Sequence, residues 1–530
     1  MKISKILLFI FLLALFLRVY KLETFPSGFH IDEVRVGWNA YSILKTGRDD
    51  RENFLPLYYN TFGDFRPTGI FYIDIFSIIL FGLNEFSVRL PSSFVGALTI
   101  FPLYFFTLEI TKKKEVALFS STFLAFSPWH ISVSRATSEV VISMFLSLLS
   151  FYFLIYAINK KGGGKYLIFS FITLIASYFF YHSIRVTAPI FSVFIIYYYL
   201  TKIKDWSFKK GLIFFVVFVS LISFFLVFSK SGKGRFSQVS VFNSPLVKKE
   251  ILNENKMVVY GRAFFEEYLK YFSGEFLIFN DAKPLRYRTP SIGLITYFEF
   301  VFLISGIVFV IQKKGTRLTL ILLLFAPLVA AITNEDSPNL HRSLFMLPFI
   351  SILCAYGANY FLVNRKIIFN FLILGFLFNF FYFFRIYTTS ASTFLIPYRN
   401  VSAKSLVSQI NQIKGNYGEV VITNDPDDPY PWFAFYNKID PKIFNEFAVK
   451  RSEGEWKYQN LLFSQKECPS GDIFSNRNQK SIDRNILVID GFKCAIESKI
   501  HDGIQAQILT QIKNSDGTIA YTFWINKKTN

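Results

Sequence analysis

The chain has 530 residues, of which 52% are hydrophobic and 19% aromatic, and its mean hydropathy is +0.36. A soluble protein of this length carries more charge and fewer aromatic residues, so the composition excludes that class. The formal charge of +20 would suit nucleic-acid binding, but much of it lies in short segments between apolar runs, where the positive-inside rule accounts for it. We therefore predict a polytopic α-helical membrane protein that contacts membrane lipids and no nucleic acid.

Apolar runs long enough for helices that cross a bilayer recur along the chain. The runs are 6–20, 87–110, 116–133, 140–158, 166–181, 186–200, 211–228, 292–311, 318–332, 343–362 and 367–388. The first run lacks a small-residue cleavage site and is followed directly by Lys21, which favours a retained span over a signal peptide. The sequence thus predicts about 11 transmembrane helices.

The basic clusters between the runs predict the orientation. They are 112–114, 160–165, 202–210, 313–317 and 365–366. All of them face the cytoplasm if the N-terminus is cytoplasmic and the segment 66–83 does not cross the membrane. This segment begins with Arg66-Pro67 and carries Asp74, and we predict an amphipathic helix that lies in the interface or re-enters the membrane. The C-terminal tail then lies outside the cytoplasm.

Outside the apolar runs, the sequence predicts a loop over the polar segment 22–64 and a small domain in the tail. Within 389–530 the long apolar runs stop, 420–422 and 486–489 are typical of buried strands, and 402–413 is typical of a helix. The natural interpretation is an α/β domain. Cys468 and Cys494 either form a disulfide, if the tail is external, or stay free, whereas Cys354 lies inside an apolar run.

The first external loop contains the acidic pair of His30-Ile31-Asp32-Glu33. A carboxylate at the membrane face can serve as a general base toward a hydroxyl or amine. Two other interpretations are open, namely a solvated acid at a helix N-terminus and a metal site. No Asp-x-Asp motif follows, and hard cations usually need more oxygen ligands, so no metal is indicated, although a divalent ion is not excluded.

Basic residues at the predicted outer ends of the spans are candidates for binding a phosphate. Arg66, Arg185 and Arg342 carry guanidinium groups, which match phosphate with two parallel hydrogen bonds. The neighbouring histidines and the acid after Ser138 are candidates for the same cavity: His30, His182, His341 and Glu139. Each of these residues can equally be an ordinary interfacial anchor, and Glu139 an acid at a helix entry.

Several motifs together resemble the GT-C glycosyltransferases. They are His-x-Asp-Glu after the first span, a basic residue followed by proline and aromatic residues at Arg66, the stretch 81–92, Ser127-Pro128-Trp129-His130 and the stretch 342–348. The similarity is to the group of protein O-mannosyltransferases and the aminoarabinose transferase of lipid A. It covers about 1–390, is most specific over 28–92, and does not extend to the tail.

The resemblance implies a transmembrane catalytic domain over 1–390. The strand, helix and charge patterns separately predict an extracytoplasmic α/β domain over 391–530. The resemblance also implies a polyprenyl-phosphate sugar as donor, a protein or glycolipid as acceptor, and transfer with inversion. Asp32 would be the base with Glu33 in support, and Arg66 would contact the donor phosphate. This chain has Arg66-Pro67-Thr68 where many relatives have Lys-Pro-Pro, which keeps the charge and changes the loop.

Two other function classes compete with a transferase. A transporter or flippase of lipid-linked substrates would have related halves and charged residues in mid-span, whereas the conspicuous charges here lie at the outer span ends. A receptor-like protein that uses the membrane part as an anchor for the tail would not need eleven spans.

Overall fold

The computed structural model describes residues 4–61, 64–160, 163–279, 281–313, 316–425, 427–447, 449–452, 455–474, 485–496 and 506–526. It divides into two compact units. Unit 1 comprises Met1–Leu22, Leu57–Ile70 and Arg89–Thr389, and unit 2 comprises Glu23–Pro56, Phe71–Val88 and Ser390–Asn530. Residues 23–56 and 71–88 therefore belong with the tail in unit 2. The assignment of a catalytic domain to 1–390 and a separate domain to 391–530 stays a prediction.

Unit 1 is helical. Its longer helices are Lys5–Val19, Ile100–Thr111, Lys114–Phe126, Glu139–Asn159, Gly164–Ser177, Ile184–Tyr199, Trp206–Phe228, Lys230–Val239, Lys256–Lys270, Tyr297–Gln312, Leu318–Phe325, Leu347–Asn364 and Lys366–Thr388. Short helices connect them at Pro128–Ser134, Pro245–Glu250, Gly274–Leu277 and Leu328–Ala331. Glu85–Leu98 begins in unit 2 and continues in unit 1. The core of unit 1 is apolar and includes Met144, Phe191, Leu322 and Leu353.

Each predicted apolar run coincides with one or more of these helices. Within the described ranges, five helical stretches are long and apolar enough to cross a membrane: Glu85–Thr111, Glu139–Asn159, Trp206–Phe228, Leu344–Asn364 and Lys366–Thr388. The pair Lys114–Phe126 and Pro128–Ser134, bent by 55°, makes a sixth if it is counted as one span. A helical membrane protein is confirmed, whereas the number of eleven spans and their orientation stay predictions.

A short β-hairpin, the Arg66 hairpin, and a helix follow the first loop. The hairpin pairs β1 (Tyr58–Thr61) with β2 (Asp64–Pro67), and Tyr59 lies opposite Arg66. In the helix Gly69–Phe81 the polar side chains of Asp74 and Ser77 are buried, and the outward positions are apolar. A helix is therefore confirmed here, but its predicted amphipathic character is wrong, because its few polar side chains face the protein interior rather than water. Its position in the interface or as a re-entrant segment stays a prediction.

The segment 22–64, predicted as a loop, contains a 16-residue helix that we call the loop helix, Ile31–Thr46. The loop prediction is wrong here because the helix is polar on average, although Ile31, Val34 and Trp38 are buried at helical spacing. His30 and Glu33 form a capping box at its start, and Gly47, at φ 72°, ends it in the left-handed conformation.

The described residues of the tail in unit 2 form a seven-stranded mixed sheet, as predicted for an α/β domain. Its strands are β3 (Glu419–Ile422), β4 (Val449–Ser452), β5 (Glu455–Tyr458), β6 (Leu461–Phe463), β7 (Ile486–Asp490), β8 (Ala506–Lys513) and β9 (Ile519–Asn526). The order is β4-β5-β6-β3-β7-β9-β8, with β3 parallel to β6 and β7 and the other pairs antiparallel.

The tail helices are Ala391–Phe394, Ile396–Arg399, Ala403–Ile413, Tyr430–Tyr436, Pro441–Phe447, Pro469–Ile473 and Phe492–Ile496. The predicted helix over 402–413 and the strands over 420–422 and 486–489 are confirmed. Of the two alternatives for the tail cysteines, the structure has the disulfide between Cys468 and Cys494. Cys354 is free and buried, as expected for a core residue.

Candidate active site

The two acids of the predicted catalytic pair lie in different surroundings at the start of the loop helix. The Asp32 side chain is 31% exposed. Its backbone N–H donates to His30 Nδ1 at 3.1 Å, and its Oδ2 lies 3.5 Å from the same nitrogen. A carboxylate in this position is accessible to a substrate.

Glu33 is buried. One of its oxygens accepts a hydrogen bond from the backbone N–H of His30 at 3.2 Å and forms an ion pair with Arg399. The side chains of Glu33 and Arg399 are 3% and 0% exposed. Arg399 Nε also donates to the carbonyl of Ser27 at 3.1 Å. Glu33 is thus placed to orient the chain around Asp32 rather than to meet a substrate.

A second ionisable cluster of unit 2 follows on the loop helix. Arg35 Nη2 lies 3.9 Å from Asp428 Oδ2, and the Tyr430 hydroxyl donates to Asp50 Oδ2 at 3.1 Å. Burial raises the pKa of Asp428 to about 7, because loss of hydration outweighs the attraction of Arg35. Burial and the neighbouring carboxylate of Asp49 also raise the pKa of Asp50.

In unit 1, His182 joins the Arg66 hairpin to Arg185. His182 Nε2 donates to the carbonyl of Phe65 at 2.6 Å, and Arg185 Nη1 donates to His182 Nδ1 at 3.0 Å. The Arg185 guanidinium lies 5.4 Å from the centre of the Tyr58 ring. Arg185 is buried, whereas Arg66 is exposed. Of the predicted phosphate ligands, these two arginines are linked through one imidazole and one hairpin.

The remaining predicted residues of unit 1 are Arg342, His341 and Glu139, and the last two are linked through Ser138. Arg342 forms an ion pair with Glu335, and its Nη1 donates to Thr333 Oγ1 at 2.9 Å. His341 Nε2 lies 3.0 Å from Ser138 Oγ, and its ring is stacked on Tyr287 with centres 5.2 Å apart. Glu139, next to Ser138, is half-buried at the first position of its helix. Arg342 would have to exchange its Glu335 contact for a phosphate.

Sequence reasoning missed Arg399, Asp428 and Tyr430, which are the tail partners of the first loop. Arg399 lies 366 residues from Glu33 along the chain, and no motif marks it. Among the described residues, no group of three or more His, Cys, Asp or Glu side chains is arranged to hold a metal ion.

Comparisons with known proteins bear on the membrane part and on the fold. A family model described as dolichyl-phosphate-mannose-protein mannosyltransferase matches residues 66–228. An uncharacterized protein of Aquifex aeolicus is 27% identical over 218 residues, which cover 40% of this chain. The match spans about half of that relative, 47% of its length.

Two solved structures share the overall fold. ArnT from Cupriavidus metallidurans bound to undecaprenyl phosphate has a TM-score of 0.53 and 11% identity, with 97% of each chain covered. The oligosaccharyltransferase AglB of Archaeoglobus fulgidus, in complex with an inhibitory peptide and a dolichol-phosphate, has a TM-score of 0.52 and 11% identity. That alignment covers 92% of this chain and 69% of the archaeal chain.

Proposed function

Because the chain has the GT-C fold of membrane glycosyltransferases, we propose that it transfers a sugar from a polyprenyl-phosphate donor to an acceptor outside the cytoplasm. The acceptor is a protein or a glycolipid. The observation that carries the proposal is the asymmetry of the acidic pair, in which Asp32 is accessible and Glu33 is held by Arg399. The dolichol-phosphate and undecaprenyl phosphate named with the two similar structures support the donor class.

In the proposed reaction Asp32 is the general base. It takes the proton of the acceptor hydroxyl or amine as that atom bonds to the anomeric carbon of the sugar. The bond from this carbon to the phosphate oxygen breaks in the same displacement, so the polyprenyl phosphate leaves with the electron pair and the configuration inverts. Positive charge develops on the sugar ring in the transition state. Glu33 orients the loop that carries Asp32.

Arg66 stabilises the charge that develops on the leaving phosphate. Its exposure and the anchoring of its hairpin through His182 support this role. We assign Arg185 and Arg342 to the same phosphate, and His30, Glu139, His182 and His341 to the substrate cavity. In this proposal the guanidinium groups supply positive charge to the phosphate.

We propose eleven spans with a cytoplasmic N-terminus and an external tail. The basic clusters support this orientation through the positive-inside rule. The Cys468–Cys494 disulfide agrees with it, since disulfides persist mainly outside the cytosol.

The substitution Asp32→Asn tests the base. It keeps the size of the side chain but cannot accept a proton at neutral pH, and we expect transfer to fall by about 10²–10⁴-fold. The assay uses tritiated mannose, galactose, glucose and aminoarabinose, each linked to undecaprenyl phosphate, and follows the loss of label from the undecaprenyl-phosphate sugar to protein or glycolipid in membranes containing the protein. Binding of unlabelled undecaprenyl phosphate to the purified protein should not change.

Asp516→Asn is the matched control, because Asp516 lies on an exposed turn of the tail hairpin. Parental transfer by both Asp32→Asn and Glu33→Gln would rule out the acidic-pair mechanism. A protein that moves the intact lipid-linked sugar across vesicles without releasing label would be the alternative transporter or flippase.

Arg66→Ala and Arg66→Lys test the phosphate ligand. We expect Arg66→Ala to weaken binding of undecaprenyl phosphate more than Arg66→Lys, because lysine keeps the charge and loses the two-pronged donor. Binding is measured on purified protein by titration with undecaprenyl phosphate. If both variants bind as the parent does, Arg66 is an interfacial anchor.

A further inference from the structure

The backbone that leads into the loop helix is held by residues of the tail, all within unit 2. Arg399 Nε donates to the carbonyl of Ser27 at 3.1 Å, and the indole N–H of Trp432 donates to the carbonyl of Phe29 at 3.0 Å. Gly28, at φ 76°, fits only because it has no side chain, since a Cβ there would lie 2.3 Å from the carbonyl oxygen of Arg399. Ser27, Gly28 and Phe29, the three residues before His30, are thus all held by Arg399 and Trp432 of the tail.

The side chain of Arg399 also neutralises buried negative charge. It forms the ion pair with Glu33, and neither side chain is accessible to water. Burial, and after it the negative charge of Glu33, raise the pKa of the Asp74 carboxyl well above its usual value, and within the described part of the chain neither Asp74 oxygen has a hydrogen-bond partner. Removal of the guanidinium would therefore leave Glu33 uncompensated beside a second acid, a change that is costly in a buried site.

The tail also fixes the next turns of the loop helix. A Cβ on Gly37 would lie 2.8 Å from the Phe435 ring, so that helix and tail approach closely. The Trp38 ring packs edge-on against Phe444 with centres 5.8 Å apart. Together with the Tyr430 hydrogen bond to Asp50, these contacts hold one face of the helix against the tail.

Building on the function proposed above, we propose that the tail domain contributes to catalysis by positioning the catalytic base. In this proposal Arg399 is a positioning residue that acts through Glu33 and the backbone of Ser27 to set the place of the Asp32 carboxylate. The tail then has a role in the reaction besides any role in acceptor binding. This role also accounts for the complete burial of Arg399 against Glu33, which lies 366 residues away along the chain.

The test uses Arg399→Gln and Arg399→Lys in the full-length protein. A misplaced base lowers the rate of the chemical step, so we expect Arg399→Gln to lower transfer from the labelled undecaprenyl-phosphate sugars by roughly 10²-fold. Undecaprenyl phosphate binding should stay parental, and Arg399→Lys should recover part of the rate because it restores the positive charge. Lys404→Gln is the control, since Lys404 lies in the same part of the tail and its side chain is exposed, although it pairs with Glu85.

The substitution Arg399→Gln made in the Asp32→Asn variant distinguishes a positioning role from general structural damage. If Arg399 acts through Asp32, Arg399→Gln should cost almost nothing further in a chain that already carries Asp32→Asn. An equal loss in both backgrounds would overturn the proposal, as would parental transfer by Arg399→Gln. Parental transfer by the single variant Asp32→Asn would instead refute the assignment of Asp32 as the base in the proposed function.

If Arg399→Gln fails to fold, Trp432→Phe provides the same test. It keeps an aromatic ring and removes the hydrogen bond to the carbonyl of Phe29. We expect a smaller loss of transfer, again absent in the Asp32→Asn background, with parental binding of undecaprenyl phosphate. Parental transfer by Trp432→Phe, or a loss of equal size in both backgrounds, would overturn the proposal.

Discussion

Asp32 and Glu33 are neighbours in sequence, yet successive positions of a helix point about 100° apart. This rotation turns Glu33 toward Arg399 and leaves Asp32 at the accessible side of the first turn. A base needs access to its substrate, whereas an orienting residue needs fixed partners, so the two environments suit different roles.

Asp428 gives a prediction about pH and stability. Its pKa is 3.8 as a free side chain and about 7 in the folded protein. Between these values the folded chain keeps a proton that the unfolded chain has lost, so stability should fall as the pH rises from about 4 to about 7. Asp428→Asn removes this dependence, and we expect the variant to unfold at a higher temperature than the parent at pH 8, with a smaller difference at pH 5.

The measurement is the midpoint of thermal unfolding in detergent, followed by intrinsic fluorescence. Asp516→Asn is the control, because hydrogen bonds from Thr518 lower the pKa of Asp516 and its effect arises only in more acidic solution. It should change the midpoint by a similar amount at both pH values. A lower midpoint for Asp428→Asn at pH 8 would show that the attraction of Arg35 outweighs burial.

At the scale of elements, the Arg66 hairpin depends on a close backbone approach just after it. The N–H of Gly69 donates to the carbonyl of Phe179 at 3.0 Å, and a Cβ on Gly69 would lie 2.5 Å from that oxygen. A carbonyl inside packed structure cannot turn away as a flexible side chain can. The start of the helix Gly69–Phe81 is therefore tied to the turn that precedes His182.

Gly69→Ala should push this helix start away from Phe179 and displace Arg66. We expect a loss of stability of about 1–3 kcal/mol, as for other overpacked sites, and weaker binding of undecaprenyl phosphate. Gly261→Ala is the control, since Gly261 lies on the helix Lys256–Lys270 with no atom within 4 Å of an added Cβ. It should be neutral or slightly stabilising. Parental phosphate binding by Gly69→Ala would separate the hairpin from the donor site.

At the scale of the whole molecule, the proposed orientation gives a direct prediction. A phosphatase reporter that folds only outside the cytoplasm, fused after Asn530, should be active in cells. The Cys468–Cys494 disulfide supplies an independent check, because protein isolated without reductant should react with a maleimide at these residues only after reduction. Cys468→Ser combined with Cys494→Ser controls for Cys354. An inactive reporter with freely reactive tail thiols would reverse the orientation and place Asp32 inside.

The sequence alone determined the class of protein and most of the helices in the membrane part. Apolar runs, basic clusters and the strands of the tail are properties of short segments, and burial of an apolar run depends little on which segment covers it. The acidic motif His30-Ile31-Asp32-Glu33 and the basic motif at Arg66 are likewise properties of short segments. These signals led to the GT-C resemblance, which the fold comparisons support.

Only the tertiary structure decided that Glu33 is buried against Arg399 while Asp32 stays accessible. It also decided which face of the helix Gly69–Phe81 is buried, and which tail residues contact the segment that contains the loop helix. Glu33 and Arg399 lie 366 residues apart, so their attraction leaves no pattern within any sequence window. The polar loop helix was missed because average polarity predicts a loop, while burial of Trp38 depends on the tail that packs over it. A buried ion pair forms only when folding removes both charges from water together, and that condition depends on the whole chain.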